Sequence, residues 1–325
     1  MPASARPILI ATRGSALALA QARFILAKCR AAFPRQRFDL KIIKTTGDKL
    51  QTASLASSSL PKGLFTKELE LALLKGEADL AVHSLKDLPT DLPAGLGLGA
   101  VSRRADARDV LLYRAVESSQ YGMRGFKPRL SLRGLPRGAT VATSSTRRRA
   151  QLLERRPDLR IVPIRGNVGT RLRKLATQPE MGATILAAAG LARLHFKITR
   201  TGQLRGEGVP PGLCATPIPP EEMLPCVGQA ALGIEIRAGD ARLEKICAKL
   251  NHAPTEQCVA AERAFLHAMG GGCQLAVAAY AQIVKGRLHL RAVSFLGPRA
   301  RRASTRGSPA NAVVLGRRLA VILAA

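Results

Sequence analysis

The sequence predicts an α/β protein with two similar halves and a smaller α+β segment at its end. Three features predict this class. Short apolar runs alternate with helical patterns in the first half, the alternation begins again near Arg108, and the chain after about residue 250 changes to a long helix and a hairpin. Alternating strands and helices are typical of a sheet with helices on both faces. The 325 residues are enough for two or three domains.

Each element of the first half follows from the period of its apolar residues. We expect strands at residues 8–11, 38–44 and 78–83, and helices at 15–33 and 66–75. Gly95, Gly97 and Gly99 do not have the spacing of a dinucleotide-binding loop. We interpret them as a turn that leads to the next strand.

The second half repeats the pattern. Strands are expected at residues 109–113, 139–143, 161–164 and 184–188, and helices at 146–156 and 168–176. Residues 117–137 are polar and glycine-rich, which indicates a loop, and residues 202–220 are rich in proline and glycine, which indicates a linker. The final segment is expected to contain a helix at 254–269, a hairpin of 274–284 and 287–295 around Lys285-Gly286, and a closing helix at 312–325.

The chain is strongly basic, with 51 Lys and Arg against 22 Asp and Glu and a net charge of +29. Such a charge suits nucleic acid, an anionic membrane surface or a small polyanion. No acidic residue follows Glu262, whereas ten Arg and Lys do. The simpler interpretation of this tail is a solvated surface in a protein with a general preference for arginine.

The six cysteines form no CxxC or CxxH pair, so we expect no metal site. Their scatter is typical of free thiols in a reducing compartment. The sequence shows no signal-peptide pattern and no apolar run near the roughly 20 residues of a membrane span. We therefore expect a cytoplasmic protein with no membrane partner.

Three strand-to-helix junctions combine small or hydroxyl residues with arginine. They contain Arg13 and Ser15, then Ser145, Arg147 and Arg148, and then Arg165 and Arg171. In open α/β sheets, ligands bind beyond the carboxyl ends of strands, where helix N-termini offer free N–H groups. One such junction is more often only a helix cap. Three of them indicate a ligand with several anionic groups, which Lys62, Lys86 and Arg193 can also contact.

Two further segments are candidates for chemistry. Lys86 and Asp87 occupy a turn directly after a buried strand, where a carboxylate can stabilise a cation or exchange a proton with a nitrogen. On spacing alone, an ordinary ion pair in a surface turn is the simpler interpretation. Cys273 follows three glycines, which leave room for a bulky group on its sulfur. A buried structural cysteine fits the same pattern equally well.

Together, these segments resemble the porphobilinogen deaminase family. The matching segments are ATRGSALALAQ at 11–21, GLFTKELEL at 63–71, DLAVHSLKDLP at 79–89, TSSTRRRAQL at 143–152, RPDL at 156–159, RGNVGTRL at 165–172, LPCVGQAALGIE at 224–235 and AERAFLHAMGGGCQ at 261–274. They occur in the family's order and are specific only jointly. The sequence departs from the family at Leu60-Pro61, where Gly-Gly is usual, at Gly182, where Asp is common, and within 228–231, where alanine replaces glycine.

The resemblance implies a fold and an activity. It implies two α/β domains similar to those of periplasmic binding proteins around a cleft, at 1–105 with about 225–250 and at 106–224, and a small α+β domain at 251–325. The implied activity joins four porphobilinogen molecules into hydroxymethylbilane with loss of ammonia. The implied cofactor is dipyrromethane, attached to Cys273 through a thioether.

The resemblance also implies residue roles. Asp87 matches the family's catalytic carboxylate. The implied cofactor contacts are Arg13, Ser15, Lys86, Ser145, Arg147, Arg148 and Arg171. The implied substrate contacts are Arg13, Lys62, Arg165, Arg171 and Arg193. The expected partner is the small-molecule substrate porphobilinogen, with no specific nucleic acid, and the expected state is a monomer.

Two other functions suit parts of the sequence. An α/β anion receptor without turnover would use the same kind of cleft, but it needs neither Asp87 nor Cys273. A nucleic-acid-binding protein would use the positive charge, but aromatic residues for base stacking make up only 3% of the chain.

Overall fold

The computed structural model describes residues 6–49, 65–116, 125–272 and 274–324. Leu60-Pro61, Lys62 and Cys273 lie outside the described residues. The described chain forms two five-stranded mixed sheets, one three-stranded antiparallel sheet and one pair of short strands. Helices accompany the three larger sheets, so the predicted α/β class with a small α+β end is confirmed.

The first sheet gathers strands from both ends of a long stretch of chain. It contains β1 (Ile8–Arg13), β2 (Phe38–Ile43), β3 (Leu80–Ser84), β4 (Leu96–Val101) and β12 (Leu232–Arg237) in the order β2-β1-β3-β12-β4. β1, β2 and β3 are parallel, whereas β12 runs antiparallel to both β3 and β4. The accompanying helices are α1 (Ala16–Ala32), α2 (Thr46–Lys49), α3 (Lys67–Leu74) and α7 (Ala241–Leu250). Ile25 of α1 and Leu243 of α7 share one core cluster with Ile10 and Ile234 of the sheet.

The second sheet has a similar plan. It contains β5 (Asp109–Arg114), β6 (Thr140–Ala142), β7 (Arg160–Val162), β8 (Ala183–Ala187) and β11 (Leu213–Ile218) in the order β11-β5-β8-β6-β7. Its helices are α4 (Thr146–Arg155), α5 (Val168–Thr177) and α6 (Ala188–Arg193), and β9 (Lys197–Ile198) pairs with β10 (Leu204–Arg205) beside it. Leu111 and Tyr113 of β5 join one core cluster and Val110 and Leu112 join another. Because alternate residues of a strand point to opposite faces, both faces of this sheet are buried.

The third sheet is antiparallel and carries two helices. α8 (Ala253–Ala268) precedes β13 (Val277–Val284), β14 (Arg287–Ser294) and β15 (Arg301–Gly307), and α9 (Ala312–Ala324) follows them. α8 and α9 pack closely at Gly316, where a Cβ would lie 2.2 Å from the carbonyl oxygen of Ala261. Only glycine permits this approach of the two backbones.

Two sequence-based expectations about irregular segments were wrong. The expected linker at 202–220 contains β10 and β11, and β11 pairs with β5 along six residues. Pro217 lies in β11, which is tolerated because β11 is at the edge of its sheet. The expected turn at Gly95, Gly97 and Gly99 is largely β4, which begins at Leu96.

The third sheet is tied to the other two by side chains. The buried Glu262 of α8 accepts two hydrogen bonds from Arg104, at 2.7 and 2.8 Å, and one each from the backbone N–H groups of Gly228 and Ala281. Arg302 of β15 forms an ion pair with Glu154 of α4, and Arg291 of β14 lies 2.9 Å from Glu221. These last two pairs are more exposed than that of Glu262. In the described parts of the chain, no helix is long and apolar enough to cross a membrane.

Candidate active site

The three predicted strand-to-helix junctions are formed as expected, each with a side-chain cap. Ser15 accepts a hydrogen bond from the N–H of Ala18 at the start of α1. Ser145 accepts one from the N–H of Arg148 at the start of α4, and Asn167 caps α5 in the same way. β6 and β7 are parallel neighbours, so the junctions after them lie at one edge of the second sheet.

Arg147 and Arg148 both contact the buried carboxylate of Asp109, which was not among the predicted site residues. Nη2 of Arg147 lies 2.8 Å from Oδ2 of Asp109, and Nη2 of Arg148 donates to Oδ1 at 2.7 Å. Gln229 donates a third hydrogen bond to Asp109 at 3.1 Å. Burial opposes ionisation of Asp109, but the two guanidinium groups outweigh it and hold the pKa of this carboxyl well below its usual range.

The two arginines also retain unused hydrogen-bonding capacity. Arg147 donates to the carbonyl oxygen of Leu224 at 2.6 Å and Arg148 to that of Ile185 at 2.8 Å. The Nε atoms of both side chains are buried and have no hydrogen-bond partner among the described residues. The Nε atoms of Arg104 and Arg114 have the same property, so it is not particular to this site.

Lys86 and Asp87 lie in a 3₁₀ turn (Leu85–Asp87) that follows β3 directly. Asp87 is exposed, and Lys86 is half-buried. Burial lowers the pKa of Lys86, nearby Arg148 lowers it further, and Asp87 opposes both effects. No hydrogen bond joins the Lys86 ammonium to any residue that the structure describes. The turn of the first sheet therefore lies beside the arginines of the second.

Arg171 completes this group. Its Nε donates to the carbonyl oxygen of Gly166 at 2.8 Å. Burial lowers the pKa of Arg171 to about 10, Arg148 contributes in the same direction, and Asp87 opposes them. The structure thus brings together Lys86, Asp87, Arg148 and Arg171, with Arg147 and Asp109 behind them.

The other predicted arginines have partners of their own or are exposed. Arg13 forms an ion pair with Asp48, with its Nε 3.2 Å from Oδ2, and its guanidinium carbon lies 4.2 Å from the ring centre of Phe65. Arg165 is exposed. Arg193 donates to the carbonyl oxygen of Ala230 at 2.7 Å, and burial lowers its pKa to about 10.

The glycine-rich loop after α8 approaches the start of α4. Oγ1 of Thr146 donates to the carbonyl oxygen of Gln274 at 2.7 Å. Gly270, Gly271 and Gly272 all have positive φ, at 104°, 67° and 95°. A Cβ built on Gly270 or Gly272 meets nothing within 4 Å, so there is space beside this loop. The backbone of Gln274, after this loop, therefore lies at the start of α4.

Two more side chains near the site were missed from the sequence. Arg263 of α8 donates to the carbonyl oxygens of Leu88, Pro89 and Thr90, at 3.2, 2.7 and 3.2 Å, and so holds the segment after Asp87. Cys226 is a half-buried thiol whose pKa is raised by burial, with Arg147 and Lys86 acting against that shift. Asp109 could have been selected from the sequence, because a carboxylate at the start of an apolar strand is unusual. No local pattern, however, indicates that Arg263 contacts residues 88–90.

His83 is a structural residue in this arrangement. Its Nε2 lies 2.9 Å from Oε2 of Glu235, and both side chains are buried. The pair joins neighbouring strands β3 and β12 inside the first sheet. Among the described residues, no group of three or more His, Cys, Asp or Glu could hold a metal ion. The site is thus a set of cations with one exposed carboxylate, suited to a ligand with several carboxylates.

Comparisons with known proteins agree with this chemistry. Residues 8–245 match the profile described as porphobilinogen deaminase, dipyromethane cofactor binding domain, and residues 256–325 match its C-terminal domain. A porphobilinogen deaminase of Desulforudis audaxviator is 46% identical over 320 residues, which cover 98% of this chain and 94% of that protein. A porphobilinogen deaminase of Moorella thermoacetica is 44% identical over 96% of this chain and 91% of that protein.

Solved structures give a weaker likeness. The B. pertussis BvgS periplasmic domain aligns with a TM-score of 0.40 at 15% identity, over 75% of this chain and 39% of that one. The probable amino-acid ABC transporter extracellular-binding protein ytmK from Bacillus subtilis aligns with a TM-score of 0.38 at 12% identity, over 75% and 90%. At these scores the likeness says nothing about ligand or activity.

Proposed function

The chain belongs to the porphobilinogen deaminase family, and from this membership we propose which of its residues carry out the reaction. The family's enzymes are transferases, also called hydroxymethylbilane synthases. They join four porphobilinogen molecules head to tail into the linear tetrapyrrole hydroxymethylbilane and release ammonia, in porphyrin and haem biosynthesis. The substrate is therefore a small molecule that carries carboxylate groups, and the cofactor is dipyrromethane.

Asp87 is the proposed catalytic residue. The observation that carries this assignment is the position of the exposed Asp87 carboxylate, within electrostatic range of Lys86 and Arg171. Substrate carboxylates can bind to the cations while the aminomethyl nitrogen lies at Asp87. A carboxylate there stabilises the positive charge that develops as ammonia leaves, and it can accept the proton that the attacking pyrrole carbon loses.

The described residues fit the cofactor. The cationic side chains of Lys86, Arg148 and Arg171 and the open space at Gly270 and Gly272 suit a group with several carboxylates next to the glycine-rich loop. When bound, dipyrromethane supplies the primer on which the chain grows. We assign its attachment to Cys273 and its contacts to Arg13, Ser15, Lys86, Ser145, Arg147, Arg148 and Arg171.

The remaining cations are assigned to the growing chain and the incoming substrate. These are Lys62, Arg165 and Arg193, with Arg13 and Arg171 shared between cofactor and substrate. Arg165 is exposed and Arg193 is half-buried. Arg171 and Arg193 have no acidic hydrogen-bond partner among the described residues, which supports a role in binding carboxylates.

The organisation of the whole molecule is part of the same proposal. We assign residues 1–105 with about 225–250 to a first domain, 106–224 to a second and 251–325 to a third. The protein is proposed to act in the cytoplasm as a monomer, without a specific nucleic-acid partner. Hinge motion between the first two domains would accommodate the lengthening product.

Intact mass of the purified protein tests these assignments. A mass above the 34.6 kDa polypeptide by two pyrrole units, absent in Cys273→Ser, is the expected result. Further increments should appear when porphobilinogen is added. Asp87→Asn should keep the two-unit mass and show at least about a hundredfold slower extension, the usual loss when a general acid or base is removed.

Each outcome of this experiment has a distinct meaning. An Asp87→Asn variant that extends at the normal rate would remove Asp87 from the mechanism. A two-unit mass that persists in Cys273→Ser would place the attachment elsewhere. A polypeptide that never gains mass would count against turnover and favour an anion receptor.

A further inference from the structure

One exposed surface has no part in the site described above. α9 buries one side against α8 and the third sheet, through Ala312, Leu315, Gly316, Leu319, Ala320 and Leu323. Its opposite side carries four exposed aliphatic residues. Their exposed fractions are 42% for Val313, 63% for Val314, 68% for Val321 and 47% for Ile322. Single exposed aliphatic residues are ordinary, but several on one helix face indicate a binding surface.

Two arginines lie among these aliphatic residues, with Val313 and Ile322 farther out, roughly 90° from the middle of the face. With 3.6 residues per turn, Val314 and Val321 lie along its middle, only about 20° apart around the helix axis. Arg317 and Arg318 are both exposed and lie roughly 50° to either side of that line. The outer face of α9 is therefore an aliphatic ridge with one guanidinium group on each flank.

The surroundings of the outer face of α9 are also basic. Nη2 of Arg301 donates to the carbonyl oxygen of Ile322 at 3.2 Å, which places this cation at the end of α9. Arg301 itself is exposed. Because no acidic residue follows Glu262, nothing in the segment itself neutralises these charges.

We propose that the outer face of α9 binds to an anionic phospholipid surface. A basic helix with exposed aliphatic side chains adsorbs to such a surface through two interactions. The anionic head groups attract the arginines, and the boundary between head groups and acyl chains accommodates valine and isoleucine. The expectation of no membrane partner rested on the missing span, and a helix that lies on the surface needs none. This inference does not depend on the assignment of the catalytic residues.

Other partners fit this face less well. A second copy of the chain would place Arg317 and Arg318 against like charges. Nucleic acid would use the arginines but gain nothing from four aliphatic side chains. A protein partner would be anchored by the two arginines alone, because the outer face of α9 has no aromatic residue, and it would need an acidic surface around an apolar strip. The combination of valine and arginine favours lipid.

Vesicle sedimentation of the full-length protein tests the proposal. At roughly 0.15 M salt, the protein should sediment with vesicles that contain about 30% phosphatidylglycerol and remain in solution with phosphatidylcholine alone. Arg317→Glu with Arg318→Glu should weaken binding at least about thirtyfold. Val314→Ser with Val321→Ser keeps the charge and should weaken it about tenfold.

Controls separate this face from the general charge of the protein. Arg133→Glu with Arg137→Glu makes the same charge change on exposed residues before β6, and it should alter binding less than about threefold. All variants should keep the turnover of the parent protein, because none of these residues touches the site.

Several results would overturn the proposal. They are no sedimentation with the anionic vesicles, or sedimentation that the serine variant leaves unchanged. A 30-base-pair DNA duplex (about three helical turns) that binds with the same dependence on Arg317 and Arg318, while vesicles do not bind, would instead assign the face to nucleic acid. A dimer lost in the serine variant would assign it to self-association.

Discussion

At the scale of single residues, two arginines of the candidate site share one buried carboxylate. Asp109 is fully buried, and its two oxygens face Arg147 and Arg148. Each guanidinium group would be strongly destabilised in this position without a counter-ion. Asp109 therefore allows two arginines to remain buried beside each other.

Replacement of this carboxylate should be costly. We expect Asp109→Asn to lower the free energy of unfolding by about 3–5 kcal/mol at pH 7, because it leaves two buried cations without their partner. The pKa of Asp109 is lowered on folding, so its stabilisation is complete above the unfolded-state value of about 4 and is lost as the pH falls further toward the folded-state pKa. Urea unfolding at pH 7 and at about pH 3 should therefore show a gap between variant and parent that shrinks on acidification.

Asp106, three residues before Asp109, provides a matched control. Asp106 pairs with Arg108 at the surface, where both side chains are about two-fifths exposed. Asp106→Asn should change the free energy of unfolding by less than about 1 kcal/mol. Equal stability of Asp109→Asn and the parent protein at pH 7 would contradict the role given to Asp109.

Ala230 shows how a departure from the family pattern is tolerated. Its φ is +72°, a conformation that costs an L-residue about 1–2 kcal/mol. Its methyl group, however, is buried with Ala107, Ala189 and Tyr280, which contributes about 0.8 kcal/mol. Glycine would add about 0.5–1 kcal/mol of conformational entropy cost on folding.

These terms nearly cancel at Ala230. We therefore expect Ala230→Gly to change the free energy of unfolding by less than about 1 kcal/mol in either direction. Thermal or urea unfolding of the variant measures this directly. A loss above about 2 kcal/mol would mean that packing of the methyl group dominates.

Residue-scale prediction from sequence succeeded where the signal was local. Ser145, Arg147 and Arg148 stand together in one junction, so their common position followed from the strand-to-helix pattern. Asp109 and Arg263 each contact residues that are distant in the sequence. The periodicity of apolar residues does not reveal such contacts. The catalytic and binding roles of all the site residues, including Lys62 and Cys273, remain predictions.

At the scale of elements, the turn between β13 and β14 requires two residues in the left-handed conformation. Lys285 has φ of 49° and Gly286 has φ of 72°, so both central residues adopt the left-handed conformation. Two-residue hairpins favour this turn because its twist matches that of the strands, and Asn-Gly is its preferred sequence. Lysine is a poor choice at the first position.

Substitution of this lysine should be stabilising. We expect Lys285→Asn to raise the free energy of unfolding by about 0.5–1 kcal/mol. The control Arg287→Asn also replaces a cation with asparagine, but within β14. It should not raise the free energy of unfolding, since asparagine is disfavoured in strands. Guanidinium unfolding of the two variants beside the parent protein compares them. A destabilised Lys285→Asn protein would show that the lysine side chain has a role of its own.

Several strands that were not predicted have a weak apolar signal, although β12 (LGIEIR) alternates clearly and was not predicted either. β11 lies at a sheet edge, contains Pro217 and was mistaken for a linker. β15 is also an edge strand, and its sequence RRASTRG has no apolar alternation. β4 carries two glycines. Helices with long apolar stripes, such as α1 and α8, were predicted to within a residue or two.

At the scale of the whole molecule, the third sheet is held differently on its two sides. Glu262 is fully buried and binds Arg104 with both oxygens, and it also accepts two backbone hydrogen bonds. Glu154 and Arg302 form a two-pronged pair as well, but their side chains are 28% and 45% exposed. The contact between Glu262 and Arg104 should therefore stabilise the protein much more than that between Glu154 and Arg302.

The two glutamates make a matched pair of substitutions. Glu262→Gln should lower the free energy of unfolding by about 3–5 kcal/mol, because Arg104 stays buried without a counter-ion. Glu154→Gln should lower it by less than about 1 kcal/mol, and less still at high salt. Urea unfolding at low and high ionic strength measures both. Equal effects of the two substitutions would refute this ranking of the connections.

The architecture of the whole molecule was only partly predictable from local patterns. The alternation of strands and helices predicted two α/β halves, whereas the position of β12 inside the first sheet has no signal in its own sequence. β12 pairs with β3 and β4 across more than a hundred residues of chain. Only the family resemblance placed residues near 225–250 with the first half.

The position of β12 also fixes an order of events on the ribosome. Among the strands that the structure describes, β12 alone pairs with β4, so β4 stays unpaired until residue 237 has been made, roughly 10–30 s after its own synthesis at usual rates. All five strands of the second sheet, in contrast, lie between Asp109 and Ile218. The middle of the polypeptide can thus complete its sheet before the beginning does, and a chain that stops short of β12 leaves an open edge at the centre of its first sheet.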